Sequence, residues 1–236
     1  MTKNIVLTGI ILLCSVVLFE YSNVDIFIQD YFYNFQLKHW ILDRDNQVTK
    51  LVFYDGVKIE LITFVLIVIA ALLFFRKTRL IQTYQKGLLI LVLSAILVPS
   101  SVAILKSITN IPCPKNISRY GGGYPYVTLL KKYPQNFDQK QNIKCYPAAH
   151  ASGGFGFLAL IFLFSRRRNK IIATLSVLSV AWSMGIYKIL IGDHFLSHTV
   201  VSMILAWLDI LIIVKSVNGL PDRFDKLFRP KSSPLS

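Results

Sequence analysis

Charge is scarce in this chain, and acid is scarcer still. Only 16% of the 236 residues are Asp, Glu, Lys or Arg, against 54% that are hydrophobic, and the mean hydropathy is +0.54. That balance excludes a soluble globular domain, in which about a quarter of residues are charged. No internal repeat or low-complexity tract interrupts the chain, which leaves a single domain. No small-x-small cleavage site precedes Glu20-Tyr21, so the first apolar run is expected to be a retained span rather than a removed signal. No aromatic–basic platform sits on a soluble portion, so the net charge of +14 is not the footprint of a nucleic-acid partner. Cysteine is limited to three residues and histidine to four.

What the chain has is long apolar runs. Six transmembrane helices are predicted, at 5–21, 57–75, 87–105, 148–164, 171–191 and 198–217, each near the roughly 20 residues that cross a bilayer core. The fold class is therefore all-α and polytopic, with a six-helix domain over 1–217 and a loosely structured, cytoplasmic tail over 218–236 that carries Pro221, Pro230 and Pro234. Arg76, Lys77, Arg79 and Lys86, then Arg166, Arg167, Arg168 and Lys170, then the tail cations, all fall on one side of a six-span chain. The positive-inside bias makes that side, with both termini, cytoplasmic. The opposite side holds 22–56, the loop 106–147 and the turn 192–197. Stretch 22–56, with Tyr31, Phe32, Tyr33, Phe35 and Trp40, reads as short helices at the membrane surface. Loop 106–147 carries seven Lys or Arg residues against Asp138 alone, which suits an anion site. Cys14, inside the first span, reads as buried packing, and Asp209, inside the last, should face the bundle interior.

Three of the four histidines lie at span ends on that outer side. Asp193-His194-Phe195-Leu196-Ser197-His198 joins the last two spans, and His194 and His198 fall one helical turn apart. His150 opens the fourth span, and the cations Lys106, Arg119 and Lys188 occupy similar places. Taken singly, a lysine at a span end snorkels to headgroups and a histidine caps a helix; it is their co-occurrence that suggests phosphate chemistry. Cys113 and Cys145 share the outer loop, where an oxidising compartment permits a disulfide. A rival reading takes Cys113-x5-Arg119 as the loop of a cysteine-dependent phosphatase, in which a thiolate and an Arg cradle phosphate.

Three motifs in order carry a family likeness. They are Lys106-x6-Cys113-Pro114, Pro147-Ala148-Ala149-His150, and Lys188-x5-His194-x3-His198. In spacing and topology they resemble the type-2 phosphatidic acid phosphatase superfamily, whose patterns are K-x6-R-P, P-S-G-H and S-R-x5-H-x3-D. The chain departs from them with Cys113 and Lys188 in place of Arg, Ala148-Ala149 in place of Ser-Gly, and His198 in place of Asp, like a variant bacterial branch. The resemblance implies double displacement. His194 is the nucleophile that forms a phosphohistidine, oriented by His198 or by the adjacent Asp193. His150 is the general acid, then the general base. Lys106, Lys188, Arg119 and the amides around Ala149 receive the phosphoryl oxygens. It implies no metal and no cofactor, because cationic side chains neutralise the phosphate.

The expected protein is thus an integral membrane lipid phosphatase at the outer face of a bacterial inner membrane. It would act on a phosphomonoester or pyrophosphate carried by phosphatidic acid, phosphatidylglycerol phosphate, undecaprenyl pyrophosphate or another polyprenyl pyrophosphate, or lipid A. Two alternatives stay open: a lipid phosphotransferase using the same site, and a non-catalytic lipid-binding or transport protein on the same fold.

Overall fold

The computed structural model describes residues 1–219, so nearly all of the predicted tail lies outside the described residues. About 70% of the chain is helical. The elements are α1 (Thr2–Tyr21), α2 (Val24–Asp30), a hairpin of β1 (Tyr33–Asn34) and β2 (His39–Trp40), α3 (Gln47–Lys50), α4 (Gly56–Phe74), α5 (Arg79–Ile108), α6 (Ala149–Phe155), α7 (Arg167–Leu190) and α8 (Leu196–Asn218). Five helical stretches are long and apolar enough to cross a membrane: α1, the α3–α4 run Gln47–Phe74, α5, α7 and α8.

The fourth predicted span, 148–164, is not a regular α-helix. It is α-helical through Phe155 and then 3₁₀ from Gly156 to Leu163. A 3₁₀ segment rises about 2.0 Å per residue against 1.5 Å, so these elements together reach roughly 26 Å, close to a hydrocarbon core of about 30 Å. Close packing shapes this element. A Cβ on Gly154 would stand 2.9 Å from the Cβ of Ala181, so α6 lies directly on α7. Around them α5, α7 and α8 close a core that includes Leu91, Val98, Phe155, Ala181, Ala206 and Ile210.

The remaining spans are peripheral. α1 packs on α8 and α4 on α5, which leaves apolar side chains such as Leu7, Leu13, Ile59 and Leu73 exposed. Cys14 is exposed, against expectation, because α1 has a packing partner on one face only. Asp209 of α8 finds its partner inside the bundle, where the Ser101 hydroxyl donates to its carboxylate at 2.5 Å.

Stretch 22–56 departs most from its prediction. The expected short helices are there, as α2 and α3, but the β1–β2 hairpin stands between them and α2 is tied into the bundle. The second span starts ten residues earlier than predicted, at Gln47, where Asn46 Oδ1 caps it by accepting from the Val48 and Thr49 amides. A π-helical turn over Leu51–Asp55 then widens the run before α4 begins. α2 is anchored by two buried polar side chains. Gln29 donates to the Ile189 carbonyl, and Asp25 accepts from both the amide and the hydroxyl of Ser197. Asp25 thereby caps α8 from a distant part of the chain, a carboxylate at a helix N-terminus.

Burial pushes the Asp25 carboxyl up to about 6, against the lowering effect of the Ser197 bonds. A folded value above the unfolded one of about 3.9 means stability that is whole below the unfolded value and lost as pH rises through about 6. Asp25→Asn keeps an acceptor for the Ser197 amide and removes the charge. Thermal unfolding in detergent should show the wild type losing up to about 3 kcal/mol relative to this variant between about pH 4 and about pH 8. Parallel pH profiles for the two proteins would contradict this assignment.

Candidate active site

The site forms where α7 ends and α8 begins. The α7 terminus closes when the Lys188 carbonyl accepts from the amides of Asp193 (2.8 Å) and His194 (3.2 Å). Gly192 makes that turn with a φ of +70°, a left-handed conformation that glycine adopts without strain. It also lies against the Trp40 indole, which a Cβ would penetrate. Its carbonyl accepts from the Lys115 amide at 3.0 Å, which fastens the outer loop to the turn.

This turn buries His194. Its Nδ1 lies 3.3 Å from Nδ1 of His198, one helical turn along, and the His198 ring also hydrogen-bonds the backbone of Cys145. The Ala148 amide donates to the His198 carbonyl, so the start of α6 is pinned to α8. His150 then faces His194 with ring centroids 6.4 Å apart, a gap on the scale of one phosphoryl group. Burial, followed by the charges of His198, Lys106, His150 and Lys188, holds the His194 imidazole well below its ordinary range. The ring is therefore neutral near pH 7.

Asp193 does not turn toward His194. Its Oδ1 accepts from Arg44 at 2.7 Å and Lys115 at 2.8 Å, and its Oδ2 from Lys188 at 3.0 Å. Burial works to raise this carboxyl, but the Lys115 hydrogen bond and the charges of Lys188, Lys115 and Arg44 keep it below its ordinary value. Lys106, at the end of α5, is close enough to act electrostatically on Asp193, Lys188, Lys115 and the three histidines. Four cations thus converge here against one carboxylate.

The structure therefore brings His150, His194, His198, Asp193, Lys106 and Lys188 together, with Ala149 beside His150 at the start of α6. Arg119 it does not. Arg119 makes a bidentate pair with Asp30, at 2.8 and 2.6 Å, and lies over the Phe35 ring. Asp30 also accepts from the Tyr120 hydroxyl, so this guanidinium already has its carboxylate. Cys113 and Cys145 form a disulfide, with Cα atoms 5.3 Å apart. The rival reading of Cys113 as a thiolate facing Arg119 therefore fails, since the sulfur is bonded and the Arg is engaged elsewhere.

Three site residues carry no motif in the sequence. Arg44 and Lys115 are the partners of Asp193. Tyr54, in the π-helical turn, places its hydroxyl 3.0 Å from His150 Nδ1, and Lys188 Nζ stands 4.2 Å from the centre of its ring. Only Lys115 had a local signal, its place beside Cys113-Pro114 in a basic loop. From His150 an apolar cleft of about 530 Å³ runs between α4, α5 and α6, with Tyr54 and Lys58 at its polar end and Leu61, Val65, Pro99 and Phe157 along its walls.

Fold and site together define the class: an α-helical protein, with helices long and apolar enough to cross a membrane, that gathers histidines and cations at one end of its bundle. The model of the PAP2 superfamily matches residues 87–221, more than half of the chain, and the protein belongs to that superfamily. Its members are phosphatases, which makes this chain a phosphoric ester hydrolase in the general sense. Comparison with curated proteins and with solved structures finds no match.

The cation cluster has a measurable dependence on its one carboxylate. Asp193→Asn leaves Arg44, Lys115 and Lys188 facing one another, and should lower stability by roughly 1–3 kcal/mol. Inorganic phosphate, supplying the missing charge, should raise the melting temperature of the variant more than that of the wild type. Equal melting temperatures at low salt would show that the carboxylate does not hold the cluster.

Proposed function

We propose that this protein is an integral membrane lipid phosphatase that cleaves a phosphomonoester or pyrophosphate through a phosphohistidine on His194. The observation that carries the reading is the facing pair His194 and His150, set among Lys106, Lys115, Lys188 and Arg44 at the head of the apolar cleft. Such a cleft suits a lipid chain, and the cations suit its phosphate.

The proposed chemistry follows from proton placement. With its proton on Nε2, His198 is left with a lone pair on Nδ1. That lone pair accepts from His194 Nδ1–H, which frees the His194 Nε2 lone pair for attack. Phosphorus bonds to Nε2 as the ester oxygen leaves, and His150, which takes up a proton when the phosphate dianion binds beside it and enters the step as the imidazolium, gives that proton to the oxygen. His150 then takes a proton from the water that attacks the phosphohistidine, releasing phosphate. Lys106, Lys115, Lys188 and Arg44 neutralise the phosphoryl oxygens as charge builds on them. Tyr54 positions the His150 ring. The basic loops at the far ends of the helices support a site on the outer face of a bacterial inner membrane. Phosphatidic acid, phosphatidylglycerol phosphate, a polyprenyl pyrophosphate or lipid A would each present its phosphate there.

The test is phosphate release by the purified protein in detergent from a panel of these lipids. Wild type should turn over at least one, and His194→Ala and His150→Ala should abolish release. Tyr54→Phe should lower kcat by about tenfold with little change in KM, as expected for a lost positioning contact, about 1.4 kcal/mol. Release that survives His194→Ala would rule out the phosphohistidine route.

A further inference from the structure

The disulfide ends against the nucleophile. Cys145 Sγ lies 3.5 Å from His194 Nδ1, which itself lies 3.3 Å from His198 Nδ1, and the three donor atoms fall within 4.8 Å of one another, all buried. These spacings have a specific meaning. A tetrahedral Zn²⁺ with bonds of about 2.0–2.1 Å to nitrogen and about 2.3 Å to sulfur separates two nitrogens by about 3.3 Å and a sulfur from a nitrogen by about 3.5 Å. The pocket already has two of the edges of such a site, and the third closes with a small shift of the side chains. While Cys145 is bonded to Cys113, it has no thiolate to offer.

We propose that reduction of the Cys113–Cys145 disulfide converts this pocket into a Zn²⁺ site formed by Cys145 Sγ, His194 Nδ1 and His198 Nδ1, with Cys113 as the fourth donor. A dithiol supplies the two electrons and two protons, becoming a disulfide itself while the two cysteine thiols form. Zn²⁺ then displaces the thiol protons as the two sulfurs bind it. Cys113, whose Cα lies 5.3 Å from that of Cys145, is the neighbouring thiol that would complete a Cys₂His₂ set, a common structural zinc arrangement.

Binding has a chemical consequence for the ring. An imidazole that ligates through Nδ1 carries its proton on Nε2. The lone pair assigned above to attack is then gone. The loaded, reduced protein is accordingly inactive on the proposed reading, whereas metal binding itself does not depend on that reading.

The experiment uses the full chain in detergent, either oxidised or reduced with a dithiol and desalted without oxygen, with thiols counted before metal is added. Zn²⁺ uptake is measured by atomic emission, and Co²⁺ serves as a spectroscopic probe. Reduced protein should take up one metal per chain and show a thiolate-to-cobalt charge-transfer band with the strong visible bands of tetrahedral Co²⁺. Oxidised protein should do neither, and reoxidation should expel the metal. Cys145→Ser should remove the metal's tight binding, and His198→Ala should weaken it. The wild-type comparison decides the matter even if a variant fails to fold. Two free thiols without stoichiometric metal would overturn the proposal. So would a disulfide that yields to reductant only when the protein unfolds, or uptake that persists unchanged in Cys145→Ser.

Discussion

One carboxylate holds the site together. Asp193 accepts from Arg44 in the segment before the second span, from Lys115 in the outer loop and from Lys188 on α7. Each of those cations comes from a different part of the chain, and none would stay near the others without a shared negative partner. Asp193 sits half-buried, where an ion pair is less screened than at the surface. The Lys115 amide bond to Gly192 and the packing of Trp40 on the same glycine fix the backbone that presents the carboxylate. Asp193 is thus the point at which loop, hairpin and helix terminus meet, and its neighbour His194 inherits the position that results.

How the histidines reach one another is a matter of helix packing. Gly154 lets α6 lie on α7, and the Ala148 amide ties the start of α6 to the His198 carbonyl on α8. Two buried or half-buried carboxylates that would be costly alone are paired: Asp209 with Ser101, and Asp25 with Ser197. The second of these pairs caps α8 at Ser197, the residue directly before His198. A change in α2 would therefore be felt at the histidine pair, although α2 contributes no side chain to it.

Much of this was legible in the sequence, and the reason is locality. Apolar runs of span length mark α1, α5, α7 and α8, and the histidines at their ends follow from position alone. Motif order gives the association of Lys106, His150, Lys188 and His194, because the three motifs fall at the same end of consecutive apolar runs. Contacts between distant segments left no such trace. Arg44 and Tyr54 sit in an aromatic, polar stretch where no period distinguishes a site residue from an interfacial one. The π-helical turn that presents Tyr54 is a distortion of the helix, and the apolar pattern, which sets where the second span becomes fully hydrophobic, placed its start ten residues late. Arg119 misled for the complementary reason. It has the residue type and the loop position of a phosphate ligand, but Asp30, far off in sequence, satisfies it with two hydrogen bonds. The irregular 148–164 element was hidden because an apolar run reads alike whether it coils as α or 3₁₀.

On the proposed reading, a histidine rather than a carboxylate at position 198 fits the charge balance of this site. Arg44, Lys106, Lys115 and Lys188 are set against Asp193 alone, an excess that a phosphomonoester, carrying about −1.5 to −2 charges at neutral pH, would largely offset. A second carboxylate at position 198 would be fully buried, and it would compete with the phosphate for Lys106. A neutral imidazole can orient His194 through one hydrogen bond without drawing a cation away from the phosphoryl group. It also stabilises a positive His194 less than a carboxylate would. On the proposed reading, the surrounding lysines therefore bear more of the burden of lowering the barrier, by stabilising the phosphoryl oxygens rather than the attacking ring.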